Sequence, residues 1–304
     1  MISEEEVLVV APIPPELEQR LGADFRLRKQ QPGNGESLPH RVAVTTSMAG
    51  LDNALMERLP RLELIACNGT GLDRIDMEIA RERGILVCNT PEAVVEDTAD
   101  FGIGLIYATV RRMVEGDRFV RAEHWRHERM SPSRRVSSRR LGIVGLGKIG
   151  KVVAARAAAL GMDVAYTARS PKPELPYRFI GGVVELARTV DVLMLCCPGG
   201  PETENLVNAE VLAALGSEGI LINISRGSVV DEPALIEALS TRTIAAAGLD
   251  VFAREPEIDA RFFDLTNVVL EPHYAAVTRE TRQDMADTLH AAIRAHLLAE
   301  TGTN

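Results

Sequence analysis

The chain has 304 residues, a formal net charge of −9, 46% hydrophobic residues and 25% charged residues. This length suffices for two domains of ordinary size, each with its own core, and the composition excludes a disordered or collagen-like chain. No apolar run approaches the ~18 residues of a membrane span, and the first residues are acidic where a secretory signal would be basic. We therefore expect a cytoplasmic protein without a membrane partner.

The four cysteines follow apolar runs, at positions 67, 88, 196 and 197, and their spacing shows no metal-type pairing. Cys196 and Cys197 are neighbours in a predicted strand, so their side chains would point to opposite faces. We expect buried, reduced thiols and no metal site.

Apolar runs of strand length alternate with helix-like segments in the first hundred residues. The pattern predicts strands over 7–11, 42–45, 62–67 and 85–88, and helices over 14–21, 51–59 and 76–83. A second series, after a long predicted helix at 98–119, has strands over 141–144, 163–166, 190–197, 220–224 and 246–250. The last segment, 281–298, has helical spacing, with Met285, Leu289, Ile293 and Leu297 on one face. Such alternation is typical of parallel sheets, and it predicts two open α/β units.

The segment from Arg111 to Arg140 contains ten arginines and only four acidic residues. A basic stripe of this kind can mark a nucleic-acid-binding surface. However, the segment has only two aromatic residues, Phe119 and Trp125, and no recognisable nucleic-acid-binding motif. We interpret it as a solvated helical arm or a subunit contact, and expect no nucleic-acid partner.

A G-x-G-x-x-G motif lies between a predicted strand and a predicted amphipathic helix, with glycines at positions 145, 147 and 150. In this context the first glycine permits a tight turn, the second lets the backbone approach a pyrophosphate, and the third allows helix and strand to pack closely. The helix N-terminus then favours phosphate binding. A plain turn is the alternative; we predict a dinucleotide site at Gly145, Leu146, Gly147, Lys148, Ile149 and Gly150.

The next predicted strand lacks the acidic residue that normally follows it and bonds the adenosine ribose. Ala168, Arg169 and Ser170 occupy this place. A carboxylate would repel a 2′-phosphate, whereas a guanidinium binds it with paired, charge-assisted hydrogen bonds. We therefore predict NADPH in preference to NADH; the alternative is that Arg169 is a surface residue and NADH binds without the usual acid.

Several further motifs extend from residue 68 to residue 273: NGTGLDRID at 68–76, NTP at 89–91, INISRG at 222–227, GLDVFAREP at 248–256 and VLEPH at 269–273. With the glycine motif, they resemble the D-isomer-specific 2-hydroxyacid dehydrogenase family over nearly the whole chain. Within that family the Ala-Arg-Ser segment is most similar to NADPH-dependent glyoxylate, hydroxypyruvate and hydroxyphenylpyruvate reductases.

The resemblance implies a catalytic triad of Arg226, Glu255 and His273. Reduction of a 2-keto acid needs a cation that holds the substrate carboxylate and polarises the adjacent carbonyl, and the planar guanidinium of Arg226 suits this. It also needs a proton donor active near neutral pH, which imidazole provides. A carboxylate beside His273 would favour the imidazolium and fix its tautomer. Taken singly, each residue has an ordinary alternative, as a surface charge, a solvated turn or a hydrogen-bonded histidine.

Further roles are implied by the same resemblance. The loop at 68–71 would bind the substrate carboxylate through Asn68, Gly69, Thr70 and Gly71, with a plain turn as the alternative. Contacts with the cofactor are implied for Thr98, Cys197, Pro198, Ile224 and Asp250. A structural role at the end of a strand remains the alternative for Asp250. Trp125 would lie in an arm that packs on a partner subunit, where simple interface packing is the alternative.

The implied fold is α/β, with two open parallel-sheet domains. A flavodoxin-like substrate domain would comprise 1–99 plus 285–304, and a Rossmann cofactor domain 100–284, with the active-site cleft between them. A homodimer is also implied. The implied reaction is NADPH-dependent reduction of a small 2-keto acid, such as glyoxylate or hydroxypyruvate, to the D-2-hydroxy acid.

Two alternatives share this fold. Formate dehydrogenases carry glutamine at the position of Glu255, so we discount that activity. A corepressor-like protein that senses NAD(P)H has the same triad, so the triad does not exclude it. The missing ribose acid counts against NADH sensing.

Overall fold

The structure is a computed structural model that describes residues 5–29 and 37–298. The chain divides into two compact units: unit 1 comprises Met1–Val94 with Val277–Asn304, and unit 2 comprises Val95–Ala276. In the described part of the chain, no helix has the combination of length and apolar character that crossing a membrane requires.

Unit 1 contains a five-stranded parallel sheet in the order β2-β1-β3-β4-β5. This strand order is that of flavodoxin-like folds, as expected. The strands are β1 (Glu6–Val9), β2 (Arg26–Lys29), β3 (Val42–Thr46), β4 (Leu64–Asn68) and β5 (Leu86–Cys88). The helices are α1 (Pro15–Gly22), α2 (Asn53–Glu57), α3 (Met77–Glu82) and α10 (Arg279–Leu298). Strand β2 has the sequence RLRK and lies at the sheet edge, so no apolar run signals it.

Helix α10 closes one face of the unit 1 core. Its predicted apolar face is confirmed, because Met285, Leu289, Ile293 and Leu297 are all buried. Leu289 and Ile293 are fully buried and pack with residues of α1, β1 and β3. The last helix of the chain is thus part of the same core as the first strand.

Unit 2 contains a seven-stranded parallel sheet in the order β12-β11-β10-β9-β6-β7-β8. The strands are β6 (Arg140–Val144), β7 (Asp163–Thr167), β8 (Arg178–Phe179), β9 (Val192–Leu195), β10 (Ile220–Asn223), β11 (Ala246–Leu249) and β12 (Val268–Leu270). The helices are α4 (Val95–Val110), α5 (Met113–Arg121), α6 (Lys148–Ala159), α7 (Val183–Thr189), α8 (Ala209–Leu215) and α9 (Glu232–Ser240). The chain order reverses at β6, and this switch point is where doubly wound sheets bind dinucleotides.

The single long helix predicted over 98–119 is wrong, because two helices occupy this part of unit 2. Arg112 has a left-handed backbone, with φ of 54°, between α4 and α5. Its guanidinium bonds both carboxylate oxygens of Glu115 and the hydroxyl of Ser131, which stabilise the break. The apolar spacing continues through both helices, and arginine is not a residue that signals this conformation. The break is therefore not visible in the sequence pattern.

The cysteines are all free. Cys67 and Cys197 are buried as predicted, whereas Cys88 and Cys196 are partly exposed. Trp125 is exposed over 58% of its surface and follows α5, none of whose residues is buried.

The burial of α10 gives a first prediction. Leu289→Ala removes a fully buried side chain and should destabilise unit 1 by about 2–5 kcal/mol, because such changes leave a cavity in the core. Urea unfolding followed by circular dichroism measures the effect. Thr288→Ala, at an exposed position of the same helix, is the matched control. Equal unfolding midpoints for the two variants would show that α10 does not contribute to a cooperative core.

Candidate active site

The glycine motif forms the turn between β6 and α6. Gly145 has φ of +94°, and a Cβ there would lie 2.7 Å from backbone atoms of Cys197. A Cβ on Gly150 would lie 2.2 Å from the carbonyl oxygen of Gly145. Both positions therefore require glycine, for the turn and for the close packing of helix on strand. A Cβ on Gly147 would meet nothing within 4 Å, so this backbone is open to a ligand at the N-terminus of α6. The geometry fits a dinucleotide pyrophosphate.

The residues after β7 occupy the place that would receive the adenosine ribose. Ala168 is half-buried, and Arg169 and Ser170 are exposed. The Tyr166 hydroxyl accepts a hydrogen bond of 2.6 Å from the Lys172 amide, which closes the loop from 167 to 171. Within the part of the chain that the structure describes, Arg169 forms no ion pair. Its guanidinium is thus available to an anion.

Arg226 follows β10 and is held by hydrogen bonds of Asn223, the last residue of that strand. Asn223 was not among the residues selected from the sequence. Asn223 is buried, and its side-chain carbonyl accepts hydrogen bonds from the amide and the hydroxyl of Ser225. Its amide group donates to the Arg226 carbonyl at 3.0 Å. The guanidinium of half-buried Arg226 bonds the Ser225 carbonyl at 2.7 Å, and Gly199 packs against its aliphatic part. The recognisable signal is a polar residue that ends an otherwise apolar strand.

Glu255 and His273 form a hydrogen-bonded pair. The Nδ1 atom of His273 lies 2.7 Å from Oε2 of Glu255, and Oε1 of Glu255 accepts the amide of Phe252 at 2.8 Å. The side chains are 28% and 14% exposed, respectively, so water still reaches the imidazole. Within residues 5–29 and 37–298, Nε2 of His273 has no hydrogen-bond partner. A carboxylate only accepts, so Nδ1 carries the proton that this hydrogen bond shares.

The pKa of the Glu255 carboxyl lies below its ordinary value. Burial acts to raise this pKa, but the hydrogen bond and charge of His273, the Phe252 amide and the charge of Arg226 together outweigh it. Glu255 is therefore an anion at neutral pH, and the charges of both His273 and Arg226 stabilise it. The three predicted triad residues thus interact electrostatically.

The predicted triad residues follow three neighbouring strands. Arg226 comes after β10, Glu255 after β11 and His273 after β12, and these strands lie side by side in the sheet. The carboxyl ends of parallel strands share one edge, which is where ligands bind in such sheets. Residues that are far apart in sequence therefore lie at the same edge.

Asp250 is buried beneath the His273 loop. Its two carboxylate oxygens accept the amides of Tyr274 and Ala275, at 2.6 and 3.0 Å. Burial raises the pKa of Asp250, and these two amides and the His273 charge oppose the shift. His273 has φ of +55°, a strained conformation for a residue other than glycine. Asp250 therefore has the structural role that the sequence left open; contact with a cofactor stays a prediction.

The other residues predicted to lie along the cofactor are distributed over unit 2. Thr98 is buried on α4, Cys197 and Ile224 are buried after β9 and β10, and Pro198 is exposed. Cys197 contacts the glycine turn, since its backbone lies against Gly145. Contacts of these four residues with a dinucleotide stay predictions.

The predicted substrate loop of unit 1, 68–71, follows β4. Gly69 has φ of +129°, and a Cβ there would lie 2.3 Å from the Ser47 hydroxyl, so the loop requires glycine. The side chain of Thr90 accepts the Gly69 amide, and Asn89 donates to the Thr70 carbonyl at 2.8 Å. The Thr70 hydroxyl is buried and, among the described residues, has no hydrogen-bond partner.

The chain belongs to the D-isomer-specific 2-hydroxyacid dehydrogenase family. The NAD-binding domain of this family matches residues 103–275. The predicted family and oxidoreductase class are therefore confirmed, and unit 2 is a nicotinamide-dinucleotide-binding domain of this family.

Similar proteins cover almost the whole chain. Hydroxyphenylpyruvate reductase of Plectranthus scutellarioides is 43% identical over an alignment of 297 residues, and the match covers 95% of each chain. Glyoxylate/hydroxypyruvate reductase A of Arabidopsis thaliana is 40% identical, again over 95% of each chain. Among solved structures, the NADPH-dependent glyoxylate/hydroxypyruvate reductase of Sinorhizobium meliloti, in complex with NADP and malonate, superposes with a TM-score of 0.92 at 35% identity. That match covers 97% of this chain and 94% of the other. It confirms the predicted fold of two parallel-sheet α/β domains.

The lowered pKa of Glu255 predicts a pH dependence. A carboxyl whose folded pKa is below its unfolded value of about 4.3 stabilises the folded state above that pH, and the contribution is lost as the pH falls through the folded pKa. The Tm of the wild type should therefore be higher than that of Glu255→Gln at pH 7. The difference between the two Tm values should shrink below about pH 4. Thermal unfolding across this range measures it, with exposed Glu257→Gln as the control for loss of one carboxylate. A constant difference at all pH values would contradict the ionised pair.

Proposed function

We propose that this protein reduces a small 2-keto acid, such as glyoxylate or hydroxypyruvate, to the D-2-hydroxy acid with NADPH. The carrying observation is the 2.7 Å hydrogen bond that holds His273 Nδ1 on Glu255 and leaves Nε2 without a partner among the described residues. The relatives named above as glyoxylate, hydroxypyruvate and hydroxyphenylpyruvate reductases support this substrate class.

Arg226 orients the substrate in this proposal. Its guanidinium pairs with the substrate carboxylate and polarises the neighbouring keto oxygen. Asn223 restrains its backbone, so less freedom is lost when the substrate binds. A nicotinamide bound in unit 2 would supply the hydride for the keto carbon.

His273 supplies the proton. As negative charge develops on the keto oxygen, Nε2 donates its proton to that oxygen, and Glu255 stabilises the imidazolium before the transfer. The orientation of the ring is set by the Nδ1 hydrogen bond to Glu255. The fixed tautomer then leaves one nitrogen for chemistry.

NADPH rather than NADH is the proposed cofactor. Arg169 is exposed, stands where the ribose acid is usually found, and offers paired hydrogen bonds to a 2′-phosphate. The pyrophosphate would be bound by the amides of Gly147 and its neighbours at the start of α6.

Unit 1 is proposed to be the substrate domain, with Asn68, Gly69, Thr70 and Gly71 binding the substrate carboxylate; the left-handed backbone of Gly69, with φ of +129°, supports an anion-binding loop. We propose a homodimer in which the exposed α5 arm with Trp125 contacts the partner. The free cysteines support a cytoplasmic location. A corepressor-like sensor is not favoured, because the similar proteins named above are reductases.

Removal of the proton donor tests the proposed reaction. His273→Ala should lower kcat for glyoxylate or hydroxypyruvate by about 10²–10⁴-fold, because general acid catalysis is lost. NADPH affinity, measured by fluorescence titration, should remain near that of the wild type. His127→Ala, at an exposed position in the arginine-rich segment 111–140, is the control. Unchanged turnover in His273→Ala would remove this residue from the mechanism.

A double substitution tests cofactor selection. Ala168→Asp with Arg169→Ala should shift the ratio of kcat/KM values toward NADH by about 10–100-fold, because a charge-assisted contact with the 2′-phosphate is exchanged for a contact with the ribose hydroxyls. Arg178→Ala, which removes an exposed arginine on β8, should leave the ratio unchanged. An unaltered ratio in the double variant would place discrimination elsewhere.

A further inference from the structure

The turn that carries Glu255, residues 252–255, is held by hydrogen bonds to two carboxylates. Glu255 itself accepts the amide of Phe252 at 2.8 Å, and Glu232 accepts the next amide, that of Ala253, at 2.6 Å. Glu232 is the first residue of α9 and lies 21 positions before Ala253 in the sequence. It has no place in the family triad, and its position in the sequence gave no reason to select it.

The other side of this turn is closed by Gly227. A Cβ on Gly227 would lie 1.8 Å from the carbonyl carbon of Phe252 and 2.0 Å from its oxygen, so the two backbones are in direct contact. The Phe252 ring is buried against Phe262, with ring centroids 5.9 Å apart. The turn is therefore bounded by Gly227, by this aromatic pair and by the carboxylate of Glu232.

The segment that makes two of these contacts also carries Arg226. Arg226 precedes Gly227 directly, and the chain then passes through a short 3₁₀ helix, Gly227–Val229, to Glu232. The N-cap residue Asp231 accepts the Ala234 amide and defines where α9 begins. One continuous stretch of seven residues thus presents the guanidinium and holds the turn of Glu255.

The location of Glu232 is electrostatically unfavourable. Burial raises the pKa of Glu232, the Ala253 amide opposes this, and the charges of Asp259 and Glu255 raise it further. A half-buried carboxylate beside another carboxylate needs a compensating contact. The Ala253 amide is that contact, and Arg254 supplies additional opposite charge.

We propose that Glu232 is a positioning residue: its hydrogen bond to the Ala253 amide holds the turn so that Glu255 remains paired with His273. This role deepens the proposed function and rests on it for its catalytic consequence. The position of the acceptor oxygen carries the role, since the negative charge of Glu232 opposes that of Glu255. The substitutions must therefore distinguish the effect of side-chain length at position 232 from the effect of its charge.

Three substitutions at Glu232 make the test. Glu232→Gln keeps an acceptor oxygen at the same reach without charge, and it should retain kcat within about twofold. Glu232→Asp keeps the charge but shortens the side chain by one methylene, and Glu232→Ala removes the acceptor. Both should lower kcat for hydroxypyruvate by about 10-fold, with KM for NADPH unchanged, because the hydrogen bond from the Ala253 amide that holds the turn of Glu255 is lost. Glu237→Ala, exposed on the same helix, is the matched control and should behave as wild type.

A proton NMR spectrum gives a readout that does not depend on turnover. The Nδ1 proton of His273, hydrogen-bonded to a carboxylate, should give a downfield signal that is absent in His273→Ala. It should persist in wild type, Glu232→Gln and Glu237→Ala, and be lost or broadened in Glu232→Asp and Glu232→Ala. If Glu232→Ala fails to fold, the comparison of kcat and of the NMR signal between Glu232→Gln and Glu232→Asp still tests the proposal.

The opposite order, with Asp active and Gln impaired, would overturn the proposal, as would an unchanged signal and kcat in Glu232→Asp. Should wild type show the NMR signal but reduce no 2-keto acid, the proposed function fails. The effect of Glu232 on the Glu255–His273 pair would still be decided by the spectra.

Discussion

The hydrogen bond between His273 Nδ1 and Glu255 Oε2, at 2.7 Å, joins loops that follow two neighbouring parallel strands. It sets the tautomer of the imidazole and keeps a carboxylate ionised inside a partly buried site. The fold makes this bond possible because β10, β11 and β12 end at one edge of the sheet. Asn223, Asp250 and Glu232 hydrogen-bond the backbones of these three loops.

The loops are held by backbone hydrogen bonds to buried polar side chains. Asn223 restrains the loop of Arg226, and Asp250 binds two consecutive amides after His273. A left-handed conformation at His273 is strained, so it persists only where its surroundings impose it. Asp250 supplies that constraint with two bonds on one side chain. The geometry of the proposed catalytic residues thus depends on the buried residues beneath them as well as on the contacts within the proposed triad.

Much of the fold could be predicted from the sequence, because strands buried on both faces are continuous apolar runs and the α10 face repeats at helical spacing. The glycine motif was informative for a different reason: close backbone contacts require glycine at positions 145 and 150. Other features had no such signal. Strand β2 is charged because it lies at an edge, and the break at Arg112 depends on contacts with Glu115 and Ser131.

The residues proposed for catalysis could be predicted from the sequence. The residues that hold their loops in place could not. Arg226, Glu255 and His273 were selected through motifs that resemble a family. Asn223 acts through local hydrogen bonds to Ser225 and Arg226, whereas Glu232 acts through one hydrogen bond to the amide of Ala253, 21 positions later in the sequence. A contact such as that of Glu232 depends on the tertiary path of the chain, which spacing does not encode. For Asp250 the sequence allowed two roles, and the two amide bonds show the structural one.

The most direct measurement is the identity and chirality of the product that wild-type protein forms from hydroxypyruvate and NADPH. A substrate held in one orientation by Arg226 and His273 presents one face of its keto carbon to the hydride. We therefore predict consumption of NADPH in step with formation of a single enantiomer, D-glycerate, as the D-isomer specificity of the family requires. Formation of the L enantiomer, a racemic product, or no oxidation of NADPH with any small 2-keto acid would contradict the account.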